Sequence, residues 1–263
     1  LLLNLLKRGY LILAVNTKDT DYVLCAKKLA RSIRQWHPEV SICLLTDIMV
    51  EADEFDIIKL LPYGDQANES SWKLSNDWQV YEATPYQETI KLEADMWCAS
   101  PIDHWWELLG YRNVAISQGC RDFYSNPGVS RAYRKLFDDN NLPDLYNGIT
   151  YWKQSNTAEE FFGLVSNIFE YWDKYKALLK YPDDIPTTDV VYAIAANIIG
   201  IENTTLPMGM GPTMVHMKKN MIPIITEDWT DELVWENTNP GLRLNTIAQW
   251  GLVHYHIKEW DNE

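Results

Sequence analysis

Glu93 and Asp95 stand two residues apart at the end of the stretch Pro85-Tyr86-Gln87-Glu88-Thr89-Ile90-Lys91-Leu92-Glu93-Ala94-Asp95-Met96-Trp97. Read with period two, Ile90, Leu92, Ala94 and Met96 share one face and Thr89, Lys91, Glu93 and Asp95 the other. Both carboxylates therefore project to the same side at the carboxyl end of a short strand. Ser100-Pro101-Ile102-Asp103 follows as a helix start, with Ser100 as N-cap, Pro101 in the first helical position and Trp105, Trp106, Leu108 and Leu109 as its apolar part. Paired carboxylates between a strand and a helix start can hold a hard divalent cation at the mouth of an α/β sheet. The same tripeptide occurs at Glu51-Ala52-Asp53, inside the polar run from Glu51 to Asp56 with no apolar strand leading into it. That copy reads as a solvated loop or helix start.

Two further polar clusters stand out. Asn16-Thr17-Lys18-Asp19-Thr20-Asp21 follows an apolar strand and suits either nucleotide contact or a helix N-terminus, with Asp19 or Thr20 capping and Asp21 favouring the dipole. Near the C-terminus, alternation puts His254, His256 and Lys258 on one face of an extended segment. Such residues are more often structural or solvated than functional.

The elements that must position these groups follow from periodicity. Tyr10 to Val15 is a continuous apolar run, the mark of a strand buried on both faces. Tyr22 to Trp36 has helical spacing, with Val23, Ala26, Leu29, Ala30 and Ile33 on one side. Ser41 to Thr46 and Phe55 to Leu61 are further strands. Strand, helix, strand implies a right-handed crossover and a parallel pair. Ligands bind outside the carboxyl ends of such strands, so Ala14 to Asp21 and Thr46-Asp47 face the pocket. Beyond them a helix is expected around Trp72 to Tyr81, a strand over Asn113 to Ser117 and a helix over Val129 to Asp139. Asp144 to Trp152 reads as an edge or antiparallel strand with an irregularity at Asn147-Gly148. One long amphipathic helix should run from Asn156 to Leu179, and another from a cap at Thr187 or Thr188 to about Ile199. Short strands are expected at Ile222 to Thr226 and Leu242 to Leu244. One α/β domain over residues 1–263, with a decorated second half, accounts for this order.

Composition narrows the function classes. Asp and Glu total 37 against 23 Lys and Arg, a formal charge of −14, which argues against a broad nucleic-acid footprint. Twelve Trp and 15 Tyr supply core and, where exposed, platforms for sugar rings. Cys25, Cys43, Cys98 and Cys120 are scattered and form neither a zinc pattern nor a disulfide framework, which points to a reducing cytoplasm. Leu1 to Leu6 lacks the flanks of a signal peptide, and no apolar run is long enough to span a bilayer.

In the order of its clusters the chain resembles the GT-A-fold glycosyltransferases, most closely glycosyltransferase family 8, the glycogenin and bacterial galactosyltransferase group. Four places carry the resemblance, which covers most of the chain. Leu13-Ala14-Val15-Asn16 and the loop and helix behind it are similar to the family's uridine-binding opening. Leu92-Glu93-Ala94-Asp95-Met96-Trp97 resembles its Asp-x-Asp motif, with Glu93 in place of the first Asp. Tyr146-Asn147-Gly148-Ile149 resembles its Asn-Ala/Gly-Gly strand. His254-Tyr255-His256-Ile257-Lys258-Glu259-Trp260 is similar to a shortened His-x-x-Gly-x-x-Lys-Pro-Trp signature that lacks the Gly and Pro.

The resemblance implies a Rossmann-like, mostly parallel sheet flanked by helices. Residues 1–100 would form the nucleotide-binding half, and residues 101–263 the acceptor half and tail. It implies transfer of a sugar, with retention, from a nucleoside diphosphate sugar such as a UDP-sugar to an acceptor hydroxyl on a glycan, lipid-linked sugar or protein. Mn²⁺ or Mg²⁺ would be held by Glu93, Asp95 and His254, with His256 competing for the histidine's place. Lys258 would donate to the diphosphate and Asp189 would touch the donor sugar. Ala14, Val15, Asn16, Asp21, Lys91, Ala94, Asn147 and Gly148 would line the donor, with Lys91 alternatively pairing with Glu93. The rival readings are a non-catalytic sugar-nucleotide-binding protein and a sugar nucleotidyltransferase. The latter usually carries a Gly-rich basic loop where Asn16 to Asp21 is acidic.

Overall fold

The computed structural model describes residues 5–67, 70, 72–127, 134–207, 209–216 and 234–255. Strand β1 (Leu6–Leu13) is buried from Gly9 onward. Helix α1 (Tyr22–Trp36) turns Val23, Ala26, Leu29, Ala30 and Ile33 inward, as the spacing requires. Strands β2 (Ile42–Thr46) and β3 (Ile57–Leu60) pair in parallel beside β1, and β4 (Tyr86–Glu93) pairs in parallel on its other side. Two more strands complete this sheet: β6 (Val114–Gln118) and β7 (Leu145–Lys153), after a short β5 (Met96–Cys98) described below. The order is β3-β2-β1-β4-β7-β6, with β7 antiparallel to both neighbours. The sheet is therefore parallel on the side of β1 and antiparallel at the far edge. β7 has the antiparallel sense expected of it but lies inside the sheet, not at its edge.

Each face of the sheet carries an apolar layer. Ile90, Leu92, Ala94 and Met96 join α1 residues and Trp105 and Trp106 in one layer, as period two demands. The other layer is formed with α5 (Asn156–Glu170) and α7 (Thr188–Ile199). The single long helix expected over 156–179 is broken: α6 (Trp172–Leu179) begins after Tyr171, whose φ of −106° and ψ of 29° leave the helix. Trp172 turns into the core there, its ring edge-on to Tyr181 at 5.1 Å. No Pro or Gly marks the break, so periodicity runs through it. The helix expected around 72–81 is a 3₁₀ turn over Lys73–Gln79 running into α2 (Val80–Ala83).

Two local expectations are corrected. The helix after the acid pair is α3 (Trp105–Leu109), which starts later than Ser100-Pro101 suggest. The Ser100 hydroxyl accepts from the Gly251 N–H at 2.8 Å instead of capping a helix. At the start of α1 the cap is Asp21, not Asp19 or Thr20. The short helices α4 (Lys135–Asp139) and α8 (Ile201–Thr204) complete the helical set of the described residues. Residues 128–133, at the start of the helix expected over Val129 to Asp139, and the strand expected at Ile222 to Thr226 lie outside those residues.

The last third folds back onto the segment that follows β4. β8 (Met214–His216) and β12 (Leu252–His254) join β5 in a sheet of order β5-β12-β8. β12 runs antiparallel to β5 and parallel to β8. A second small sheet holds β9 (Trp235–Asn237), β10 (Leu242–Leu244) and β11 (Ile247–Ala248). Among the described residues no helix is long and apolar enough to cross a membrane.

Candidate metal centre

β4 ends at Glu93, Ala94 and Asp95 form a bend, and β5 resumes at Met96. The small, buried Ala94 lets the chain change direction at this point without leaving the core. β12 then pairs with β5 so that His254 stands opposite Met96, and the Tyr255 N–H donates to the Asp95 carbonyl at 3.1 Å. This register brings His254 to the acid pair from the far end of the chain. His254 Nε2 lies 3.1 Å from Asp95 Oδ1 and 3.5 Å from Glu93 Oε2. One ligand atom from each of the three residues lies within 4.8 Å of the other two.

The corner is nearly dry. Asp95 and His254 are each 8% exposed, and the Glu93 side chain is 11% exposed. Burial pushes the Glu93 carboxyl above its ordinary value; His254 and Lys91 oppose that push, while Asp95 and Asp189 add to it. A carboxylate so placed is unfavourable alone, and a cation between the two acids would relieve it. Two carboxylates and an imidazole form a mixed oxygen and nitrogen donor set, so the residues present fit a divalent ion of the Mn²⁺ or Mg²⁺ class.

The loop after β1 lies beside this corner. Ala14 and Val15 are buried, and the Ala14 N–H donates to the Leu45 carbonyl. Asn16 Oδ1 accepts from the Val23 N–H and Asp21 Oδ1 from the Leu24 N–H, both at 2.9 Å, so the two side chains share the N-terminus of α1. Thr17 Oγ1 accepts from Thr20 N at 3.0 Å and tightens the turn. Tyr22, at the first turn of α1, feels the charge of the corner. Burial first, and then the charges of Asp95, Cys25 and Glu93, push its phenol up to about 12. Sequence reasoning did not single out Tyr22; its place at the first turn of α1 was the only signal it offered.

A second set of polar groups lies under the corner. The register of β6 against β7 shifts between Ile116 and Ser117, whose partners are Thr150 and Tyr146, so residues 147–149 bulge. The irregularity expected at Asn147-Gly148 is this bulge. Asn147 is fully buried. It donates from Nδ2 to Asp77 Oδ2 at 2.8 Å and from its N–H to Asp189 Oδ1 at 2.8 Å, and accepts from Thr150 Oγ1 at 2.6 Å. Asp77 Oδ2 also accepts from the Tyr192 hydroxyl at 2.5 Å. Lys91, also fully buried, makes its ion pair with Asp77 Oδ1 at 2.7 Å and not with Glu93. Asp189 receives the Arg134 guanidinium at 3.0 Å. Gly148 packs so closely that a Cβ there would fall 2.6 Å from Met96 Cε and 2.9 Å from Met214 Sδ. Lys91 and Asn147 thus hold this layer together from inside; they were expected at the surface of a pocket. Alternation along β4 places Lys91 on the face that α7 and the 3₁₀ turn cover. Lys258 and the competing His256 lie outside the described residues.

No protein-family model matches the chain, and no curated protein matches it in sequence. Solved structures do match it in fold. The galactosyltransferase LgtC, determined with donor and acceptor sugar analogues, superposes with a TM-score of 0.52 at 10% identity, over 94% of this chain and 86% of that one. Mouse xyloside xylosyltransferase 1 superposes at 0.52 with 7% identity, over 96% and 98%. The bifunctional enzyme WbbM gives 0.52 with 13% identity, over 97% of this chain and 46% of its own length. The chain has the GT-A fold of these proteins.

Proposed function

We propose that this chain, whose fold is that of the GT-A glycosyltransferases, moves a sugar from a nucleoside diphosphate sugar to an acceptor hydroxyl in a metal-dependent reaction. The observation that carries the reading is the convergence of Glu93, Asp95 and His254 at the carboxyl edge of the parallel half of the sheet. Ligands of open α/β sheets bind at that edge. A bound Mn²⁺ or Mg²⁺ would neutralise charge developing on the leaving diphosphate. Glu93, Asp95 and His254 would hold it.

The chain's own residues do the rest. Asn16, Asp21 and the backbone of Ala14 and Val15 form the wall that takes the nucleoside. Asp189, oriented by Arg134 and the Asn147 N–H, is the acidic group assigned to the donor sugar. Lys258 is assigned to the diphosphate. UDP as the nucleotide and retention at the anomeric carbon follow from the resemblance to family 8. Residues 1–100 serve the donor and residues 101–263 the acceptor, within one domain. The acceptor is a glycan, a lipid-linked sugar or a protein; the acidic surface disfavours DNA. The four buried cysteines suit a reducing cytoplasm.

The test is thermal stabilisation of the full chain by a panel of sugar nucleotides, with and without Mn²⁺, followed by nucleotide-release assays on those that bind. A ligand at about 100 times its dissociation constant adds about 2.7 kcal/mol. Stabilisation that needs both the sugar nucleotide and the metal is expected. Stabilisation by no sugar nucleotide, or the same stabilisation in excess EDTA, would overturn the reading.

A further inference from the structure

β8 and β12 pair in parallel with His216 directly beside His254. Partners in register on neighbouring strands project to the same face, so both imidazoles stand on the side of the acid pair. Their ring centroids are 4.8 Å apart, with the planes at 65°. Both are buried, at 7% and 8% exposure, and the Tyr146 ring closes the far side of His216 at 5.8 Å. Two imidazoles bound side by side on one ion, with metal–nitrogen bonds of about 2.1 Å, have ring centres roughly 4.6–5.3 Å apart. The observed separation falls in that interval, but the group whose ligand atoms already lie within 4.8 Å of one another is Glu93, Asp95 and His254, so His216 would have to turn toward the acids as the ion binds. Both strands reach this corner buried and apolar, Met214-Val215 and Leu252-Val253, and each then presents a histidine.

We propose that His216 is a second imidazole of the metal centre, joining Glu93, Asp95 and His254 when a cation binds. The inference rests on the reading of those three residues as a metal centre and deepens it by naming the class of metal. A site with two imidazoles and two carboxylates favours Mn²⁺, Co²⁺ or Zn²⁺ over Mg²⁺, which prefers oxygen donors and retains water. His216 belongs to the part of the fold that follows α8, so metal binding would also clamp β8 to β12.

The experiment titrates the full-length chain with Co²⁺, Zn²⁺, Mn²⁺ and Mg²⁺ by calorimetry and follows the visible absorption of Co²⁺. Three proteins are compared: wild type, His216→Phe and His254→Phe. Phenylalanine keeps a ring of similar size and the edge-to-face packing, so only the nitrogen donors are lost. Melting of each metal-free protein establishes that it folds, and His216→Gln replaces His216→Phe if that variant does not. The expected result for His216→Phe is a loss of about tenfold or more in Co²⁺ and Zn²⁺ affinity, a changed Co²⁺ spectrum, and Mg²⁺ binding unchanged. Wild-type Co²⁺ affinity and spectrum in His216→Phe would overturn the proposal while leaving the three-residue centre standing. No metal binding by the wild type, or full binding by His254→Phe, would overturn the centre itself and the proposal with it.

Discussion

The tripeptide Glu-Ala-Asp occurs at residues 51–53 and at residues 93–95, and the two copies have opposite fates. Glu51 and Asp53 lie exposed in the connection between β2 and β3, where water solvates each carboxylate separately. Glu93 ends a buried strand that pairs with β1, Asp95 lies in the bend after it, and their partner is the His254 imidazole. Identical side chains in an identical local order thus become either a solvated surface or a candidate metal centre. The difference lies in what the backbone brings to them. A strand in the sheet removes water, and a strand from the far end of the chain delivers a nitrogen donor. Burial raises the Glu93 carboxyl and so makes the corner responsive to a cation.

A second contrast lies within the site. Asp77 and Asp189 are also held close to the corner, but their oxygens are occupied by cations and amide or hydroxyl donors: Lys91, Asn147 and Tyr192 for one, Arg134 and Asn147 for the other. Those bonds fix Asp77 and Asp189 in place, whereas Glu93 and Asp95 meet at the His254 imidazole. The largest effect is therefore expected at Asp77. Asp77→Asn leaves the fully buried Lys91 ammonium without its counter-charge, and breaking such a pair costs about 3–5 kcal/mol. Denaturant unfolding should register that loss, and Lys91→Met added to Asp77→Asn should recover most of it, because the amide oxygen still accepts from Asn147 and Tyr192. A loss under about 1 kcal/mol would mean that the pair is solvated and that the contrast between the two acid sets is false.

Next in size is Asp95→Asn. Outer-shell partners of metal ligands are worth about 10–100-fold in affinity, so loss of a ligand should cost at least about 100-fold. Electron paramagnetic titration with Mn²⁺ measures this, and melting of the metal-free variant should show the fold intact. An affinity within a few-fold of wild type would remove Asp95 from the centre.

Glu93→Gln tests the electrostatic half of the comparison through pH. The folded protein holds the Glu93 proton more tightly than the unfolded chain does. In the metal-free protein this group's contribution to stability is then fully present below the unfolded value, about 4.3–4.5, and is lost as pH rises through the higher folded value. Glutamine cannot ionise. The metal-free variant should therefore melt higher than wild type at about pH 8, and the difference should vanish by about pH 4. A difference independent of pH would assign the effect to packing.

Much of the parallel half was legible in the sequence. α1 spans Tyr22–Trp36 as its spacing requires, and in the antiparallel half the β7 irregularity at Asn147-Gly148 follows from its composition. Local periodicity reports which face of an element is apolar, and these elements are set by that alone. The rest depends on pairings across the chain. Nothing near Lys91 announces that Asp77 will neutralise it, and nothing near Asn147 announces Asp189. His216 carried no signal until β8 was placed beside β12. The Ser100 hydroxyl was read as a cap because its neighbours look like a helix start; Gly251, which takes it, is distant in sequence.

The smallest effect belongs to the other copy of the tripeptide. Glu51→Gln with Asp53→Asn changes formal charge by two, more than Asp95→Asn does. If negative charge alone drew the cation, this double variant would weaken Mn²⁺ binding more than the single one. Distance and water argue the reverse. Both side chains are exposed, so their field is screened within about 8–10 Å at ordinary salt. Lys27 Nζ of α1 donates to the Glu51 backbone carbonyl, a bond that substitution of the side chain leaves in place. Stability should move by no more than about 0.5 kcal/mol, the usual range for surface changes, and Mn²⁺ affinity should stay at its wild-type value. The measurement is a titration of this double variant beside Asp95→Asn at two salt concentrations. Equal losses in the two proteins would show that the centre is assembled by net charge rather than by position, and the distinction between the two copies would fail.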